Sequence, residues 1–538
     1  MARGLALVAA LAVSLLAVSG AGGAGAQTPK RGGTVVFGPA AEFGCLTPFK
    51  ECAAGLESTW IYDKVLQGAF ALARDSTLQP TLVSGVTFTR TPPYTLTYTI
   101  RPEARWSDGV PVTARDFVFT HGAIRKYGVA VDAHRTLVRS VRAVDAKTVR
   151  VVLRSRFAGW RGLLFGFVFP QHALVGEDLA RIWTDGIENP KTGRPIGSGP
   201  FLVGGWARGK QLTLVRNPNY WGSHKAYLDR LILRFCAVSC AGRPAEVLES
   251  MRTGAVDFTY FRNAEIAPDL RRIRGTTVRL LRTNGYEHVD FRVDSGGHPA
   301  LRVKRVRQAF AYSIDRAEIV RHLWGEIDPT YRPLQSAVLL NTDRHYAPNW
   351  SGYSYRPNLA RSLLERAGCR RGADGIYACG GERLSFRFST LAPRGPRQIG
   401  LELMQSQLRR VGIEVVLSYS PALVFFDRTF SGDFDVVSFG WFVDGFSQKE
   451  LYGCGGFDNH LGYCQRLVTA DLDQADRILD DAQRARVLNR VDRQLAKDVP
   501  VIPLYQIPWV YAYKDTLRNV VPSPSNLLWN AEDWWLEE

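Results

Sequence analysis

The stretch from Gly197 to Trp221, GSGPFLVGGWARGKQLTLVRNPNYW, constrains this chain more than any other segment. It reads as two short strands around a Gly-rich turn, closed by an Asn217-Pro218 turn and the Tyr220-Trp221 pair. It contains no nucleophile–base pair and no run of metal ligands. Gly204 to Gln211, GGWARGKQ, nearly matches a phosphate-binding loop, but Gln211 stands where magnesium needs Ser or Thr. The segment also lies inside the hairpin and does not open a helix, so that reading fails. Ser198 sits between two glycines without a G-x-S-x-G elbow or an identifiable base, which argues against a hydrolase.

Extended and helical patterns alternate along the whole chain. Gly33 to Gly38 is an opening strand, Trp60 to Leu66 a short helix, and Tyr94 to Arg101 (YTLTYTIR) alternates as a half-buried strand should. Asp108-Gly109 makes a turn, and Thr113 with Asp116 three residues later caps a helix from Ala114. Further strands are expected at Thr148 to Leu153, Tyr227 to Phe235, Gly412 to Leu417, Phe434 to Phe439 and Val501 to Gln506. Helical spacing covers Glu246 to Thr253, the run from Leu301 through Val303, Val306, Ala309 and Phe310, a second helix capped by Asp315 with Glu318, and Arg397 to Arg410. No internal repeat is visible. Strands and helices thus alternate in lobes of an α/β fold.

The first 26 residues carry one positive charge, Arg3, an apolar core from Leu5 to Val18 and an Ala24-Gly25-Ala26 end. This is a secretory signal, with the mature chain expected to start at Gln27. The apolar core is shorter than the roughly 20 residues that a membrane span needs. About 510 residues remain, too many for one core, so two or three lobes are expected. A composition of 46% hydrophobic and 22% charged residues excludes a disordered or fibrous chain. The net charge is +17, with 68 Lys and Arg against 51 Asp and Glu. The basic clusters, Arg271-Arg272-Ile273-Arg274, Arg302 to Arg307 and Arg366 to Arg371, are scattered, have acids nearby and lack a stacking motif. A solvated basic surface explains them better than nucleic-acid binding.

The eight cysteines fall into four close pairs: Cys45/Cys52, Cys236/Cys240, Cys369/Cys379 and Cys454/Cys464. In an exported chain this spacing suggests four local disulfides, though spacing alone does not establish the connectivity. Zinc would need CxxC knuckles or interleaved His, and neither is present. The nine His are dispersed without an i, i+4 pair, so no metal site and no cofactor is expected.

The hairpin block resembles the signature of the family 5 extracellular solute-binding proteins, the oligopeptide-, dipeptide- and nickel-binding components of ABC importers. Matching blocks occur in the expected order over nearly the whole mature chain. They are Gly32-Gly33-Thr34, Trp106-Ser107-Asp108-Gly109, Gly197-Ser198-Gly199-Pro200-Phe201, Arg216 to Trp221, Val306-Arg307-Gln308-Ala309, Ile314-Asp315-Arg316, Leu363-Leu364 to Gly368, and Asp498 to Tyr505. The resemblance implies a periplasmic-binding-protein-like (class II) α/β fold with two lobes, a hinge and an additional domain. Lobe I would combine 27–76, 197–284 and 506–538, the additional domain 77–196 and lobe II 285–505. Chain crossings near Gly199, Asn284 and Gln506 would form the hinge.

The resemblance also implies a function without catalysis: capture of a peptide or similar small amine-bearing solute, and delivery to an ABC permease and ATPase complex. A monomer is expected, in the periplasm or on the extracellular face, touching the membrane only through the permease. A sensor or chaperone-like binder on the same fold is the alternative. In the peptide binders of this family a Trp-x-x-Asp segment lies in the cleft, its Asp pairing with the ligand's α-ammonium. Trp441-Phe442-Val443-Asp444 matches it, with Trp441 as an apolar or stacking wall. The competing reading has Asp444 opening a turn with Gly445 while Trp441 packs in the core. Phe446 and Phe43 are further pocket candidates. Three residues before the Trp, where some oligopeptide binders carry an Arg facing the ligand's carboxylate, this chain has Ser438.

Overall fold

The computed structural model describes residues 28–537 apart from 41, 51, 53–55, 76, 129–132, 237–243, 262–265, 393–394 and 443–447. Two long strands, Thr276–Phe291 and Val501–Lys514, run antiparallel through the middle of the molecule. They belong to a ten-stranded sheet. Beside Val501–Lys514 lie, outward, Phe258–Phe261, Thr34–Ala40, Arg230–Phe235, Gln211–Arg216 and Phe201–Ala207. Beside Thr276–Phe291 lie Val436–Phe442, Ser385–Leu391 and Glu414–Ser420. Parallel pairs (Thr34–Ala40 with Arg230–Phe235, Ser385–Leu391 with Glu414–Ser420) occur on both sides of the crossing strands, as helix-connected α/β lobes require. A separate four-stranded sheet, Val83–Phe88, Thr95–Ile100, Thr148–Leu153 and Val138–Ala143, carries the helix Ala114–Tyr127.

The hairpin block is a docking device. Ser198 and Gly199 N–H both donate to the Val65 carbonyl at the end of the helix Leu56–Val65, at 2.9 and 3.0 Å. A Cβ on Gly199 would collide with the Lys64 carbonyl, so this approach requires glycine. Asn217 Nδ2 donates to the Gly199 carbonyl at 2.8 Å and Trp221 Nε1 to the Ser198 carbonyl at 2.9 Å. Ser198 Oγ accepts from Gln67 N–H at 3.0 Å and is fully buried, a structural hydroxyl.

Two expected caps form: Asp116 accepts from Thr113 N–H at 2.7 Å, and Asp315 from Glu318 N–H at 2.9 Å. The helical run expected from Leu301 differs. It divides into Pro299–Arg302 and Lys304–Tyr312, with Val303 extended and exposed between them. The reason lies in Arg307, a buried guanidinium that donates to the Leu301 and Arg302 carbonyls at 2.6 and 3.1 Å and replaces helical N–H donors there. Arg316 is likewise buried, and donates to the carbonyls of Leu334, Pro503, Trp350 and Tyr353. The signature residues Arg307 and Arg316 therefore tie loops together inside the protein.

Two large hydrophobic cores result. One joins the four-stranded unit to the Thr34–Phe235 part of the large sheet, including Trp60, Tyr98, Phe117, Phe201 and Trp509. The other contains Phe310, Phe386, Leu401, Leu472 and Val491, and extends through Val247, Leu270 and Val278 under the crossing strands. Disulfides join Cys45–Cys52, Cys369–Cys379 and Cys454–Cys464. Cys236 is also disulfide-bonded, while Cys240 lies outside the described residues. No helix among the described residues is long and apolar enough to cross a membrane.

The Cys369–Cys379 bridge closes a loop of 10 residues, so replacing both cysteines by Ser should cost about 2–3 kcal/mol. Urea unfolding of the double variant checks this; an unchanged midpoint would show that the turn is held by its strand pairing alone.

Candidate functional site

The crossing strands are continuous in chain but not in register. Thr276–Arg282 pair with Pro508–Lys514, and Tyr286–Asp290 pair with Val501–Gln506, with the ladder interrupted between. Side chains fill the gap. Thr283 Oγ1 donates to the Ile507 carbonyl at 2.7 Å, and Gln506 Nε2 donates to the Thr283 carbonyl and to Thr342 Oγ1. Tyr331 OH closes the set on the Gln506 carbonyl. Thr283 and Gln506 are fully buried, so the break is a built joint.

Beside this joint the strand Val436–Phe442 ends. Because strand side chains alternate, its last two residues face opposite ways and meet different cores. Trp441 packs against the core that holds Phe310 and Leu472, while Phe442 packs against the other large core, 6.4 Å from the Trp509 ring. The segment 443–447 follows directly. Asp444 and Phe446 therefore lie outside the described residues. Phe43 is buried, packing at 4.8 Å against Trp206 and edge-on to Phe235; it makes no ring contact with Trp441.

Two polar constellations flank the end of this strand. On one face, Glu287 is held by Arg397 from the first turn of the helix Pro396–Val411, at 2.6 and 2.9 Å. Ser438 Oγ donates to the same Glu287 oxygen at 3.1 Å and is fully buried. Gly440 stands opposite Glu287 in the ladder. Thus the guanidinium beside position 438 comes from Arg397, on a different element. Burial alone would weaken the protonated Arg397, but the paired Glu287 outweighs this and holds its pKa above the usual value.

On the other face, Tyr286, His288 and Asp290 share a side with Phe439 and Trp441. Asp290 Oδ2 binds both His288 Nε2 at 3.0 Å and His460 Nε2 at 2.8 Å, with all three side chains buried. Trp441 lies parallel to the His288 ring, 6.3 Å between centroids, and Phe439 meets it edge-on at 4.7 Å. His460 belongs to the loop clipped by Cys454–Cys464, so Asp290 anchors that loop against Trp441. Burial raises the Asp290 carboxyl, but the interactions with His288 and His460 win and bring it down to about 2. Neither constellation was singled out from sequence. The only hint was the unusual density of polar residues in Tyr286-Glu287-His288-Val289-Asp290 within a buried strand.

Among the described residues no group of three or more His, Cys, Asp or Glu is arranged to hold a metal ion. The architecture is that of a two-lobed periplasmic binding protein. A family model, bacterial extracellular solute-binding proteins, family 5 Middle, matches residues 77–454, and the chain belongs to that family. The oligopeptide-binding protein OppA of Mycobacterium tuberculosis (strain ATCC 25618 / H37Rv) is 27% identical over 483 residues, covering 87% of this chain and 78% of that one. The oligopeptide-binding protein AppA of Bacillus subtilis (strain 168) is 25% identical over 455 residues, covering 81% and 80%. Among solved structures, the periplasmic EDTA-binding protein EppA superposes with a TM-score of 0.83 at 22% identity, covering 95% of this chain and 98% of that one. The Bacillus subtilis AppA complex with a nonapeptide gives 0.76 at 20% identity, covering 95% and 100%.

Because the folded pKa of Asp290 lies below an ordinary carboxylate, its stabilisation is complete above about pH 5 and drains away as pH falls through about 4 toward 2. Asp290→Asn should therefore cost about 3 kcal/mol at neutral pH, and the gap to the wild type should close over that acid window. Thermal melts from pH 7 to pH 2 measure it; a gap independent of pH would exclude the carboxylate charge as the cause.

Proposed function

We propose that this protein captures a peptide, or a similar small solute bearing an amine, in the cleft at the joint between its lobes and releases it unchanged to an ABC permease and ATPase complex. The observation that supports this reading is the split of Trp441 and Phe442, the last two residues of their strand, between the two hydrophobic cores. Asp444 in that segment is the proposed partner of the ligand's ammonium, with Trp441 and Phe446 as walls. A carboxylate in a closed, water-poor cleft gains charge-assisted hydrogen bonds from such a cation. The names of the relatives, oligopeptide-binding proteins in Mycobacterium tuberculosis and Bacillus subtilis, support peptide as the solute class.

The lobe division goes with this reading: 27–76, 197–284 and 506–538 as lobe I, 77–196 as the additional domain, and 285–505 as lobe II. The joint at Thr283, Asn284 and Gln506 serves as the hinge, and ligand shifts the population toward the closed arrangement. The additional domain shares its core with lobe I and is expected to move with it. The secretory signal delivers the chain to the periplasm or the extracellular face, where it acts as a monomer without catalytic turnover.

Asp444→Ala should weaken peptide affinity by roughly 30- to 1000-fold, about 2–4 kcal/mol for an ammonium left unpaired. Titration calorimetry against a panel of free and N-acetylated peptides checks this. Equal affinity of wild type and variant for the free peptides would remove Asp444 from the site. Binding that ignores N-acetylation would remove the ammonium from the recognition.

A further inference from the structure

Away from the crossing strands, the four-stranded unit meets the helix Arg466–Arg477 across a groove of about 750 Å³. Tyr94, Arg154 and Arg156 form one wall, and Asp473, Gln474 and Arg477 the other. Ala158 N–H donates to the Asp476 carbonyl at 2.7 Å, so the two walls touch at the groove's end. The walls belong to different bodies: Leu153 and Phe157 lie in the core shared with the Thr34–Phe235 strands, whereas Leu472 and Ala475 lie in the other core.

The charges in this groove do not cancel. Among the described residues, none of Arg154, Arg156 and Arg477 pairs with a carboxylate. The acid in the lining, Asp473, is bound by Lys449 at 2.6 Å. Arg156 rests over the Tyr94 ring at 5.7 Å, which holds its guanidinium at the groove without neutralising it. Three guanidiniums without a carboxylate partner thus line the two walls, and their like charges repel across the groove. A compact polyanion removes that repulsion, because planar guanidinium forks bind phosphate oxygens bidentately.

We propose that this groove is a second binding site, for a small ligand carrying phosphate groups, that bridges the four-stranded unit and the helix Arg466–Arg477 and favours the lobe spacing seen here. The site is independent of the solute cleft and of the ligand captured there. Its occupant is either a free phosphate compound or the phosphate of a lipid headgroup, and the two are separable.

Calorimetric titration of the full-length mature protein with inorganic pyrophosphate at low salt is the test. Saturable binding is expected, at least tenfold weaker in Arg156→Ser and in Arg477→Ser taken singly. Arg302→Ser/Arg305→Ser, a control that removes two exposed charges elsewhere, should bind as the wild type does. Vesicles of phosphatidylglycerol provide the membrane arm. Retention of the wild type on vesicles, lost in Arg156→Ser, with no response to free pyrophosphate, supports the site with a lipid source. Loss in the control equal to loss in the groove variants overturns the proposal in favour of general basicity. Weakening by only one of the two groove variants overturns the bridging, and absence of binding in both arms overturns the site.

Discussion

The structure depends on the way two antiparallel strands pass from one body to the other while their hydrogen-bond ladder stops and restarts. A ladder continuous through Thr283–Gly285 would weld the bodies into one rigid sheet. Here the unpaired backbone groups are instead met by Thr283, Gln506 and Tyr331, at the same low polar cost but without strand geometry. The side chains that satisfy the joint can follow a change of backbone angle better than a ladder can. That property is what a binding protein needs of its hinge, and the strand Val436–Phe442 ends immediately beside it.

Around the joint the protein buries charge in compensated sets. Glu287 is neutralised by Arg397 and further bound by Ser438; Asp290 is shared by two histidines. A buried charge without such partners costs several kcal/mol. These sets stiffen the faces on either side of Trp441, so this side chain is held by polar bonds beneath it as well as by packing. The Cys454–Cys464 bridge adds to this by shortening the freedom of the loop that delivers His460.

The family signature acts mainly on folding. Gly199 permits a backbone contact that any side chain would block, Asn217 and Trp221 seal it, and Arg307 and Arg316 gather carbonyls from loops far apart in sequence. Residues of this sort are demanded by the scaffold whatever solute it carries, which explains why a scaffold can be read so much more easily than its ligand.

Local patterns were enough to read the α/β class, the capped helices at Thr113 and Asp315, the short-range cysteine pairs as candidates, and the hairpin from Phe201 to Arg216, because each depends on residues within a few positions. The division of the helical run at Val303 was not legible, since its cause, the Arg307 guanidinium, acts through three-dimensional contacts. Phe43 looked like a pocket residue in its loop and is packed against Trp206 and Phe235, which are more than 160 positions away. The pairing of Glu287 with Arg397 and of Asp290 with His460, and the meeting of Arg154 and Arg156 with Arg477 at one groove, belong to tertiary structure alone. Charges separated by a hundred residues or more have no local signature, and only the closing of the sheet brings them within reach of one another.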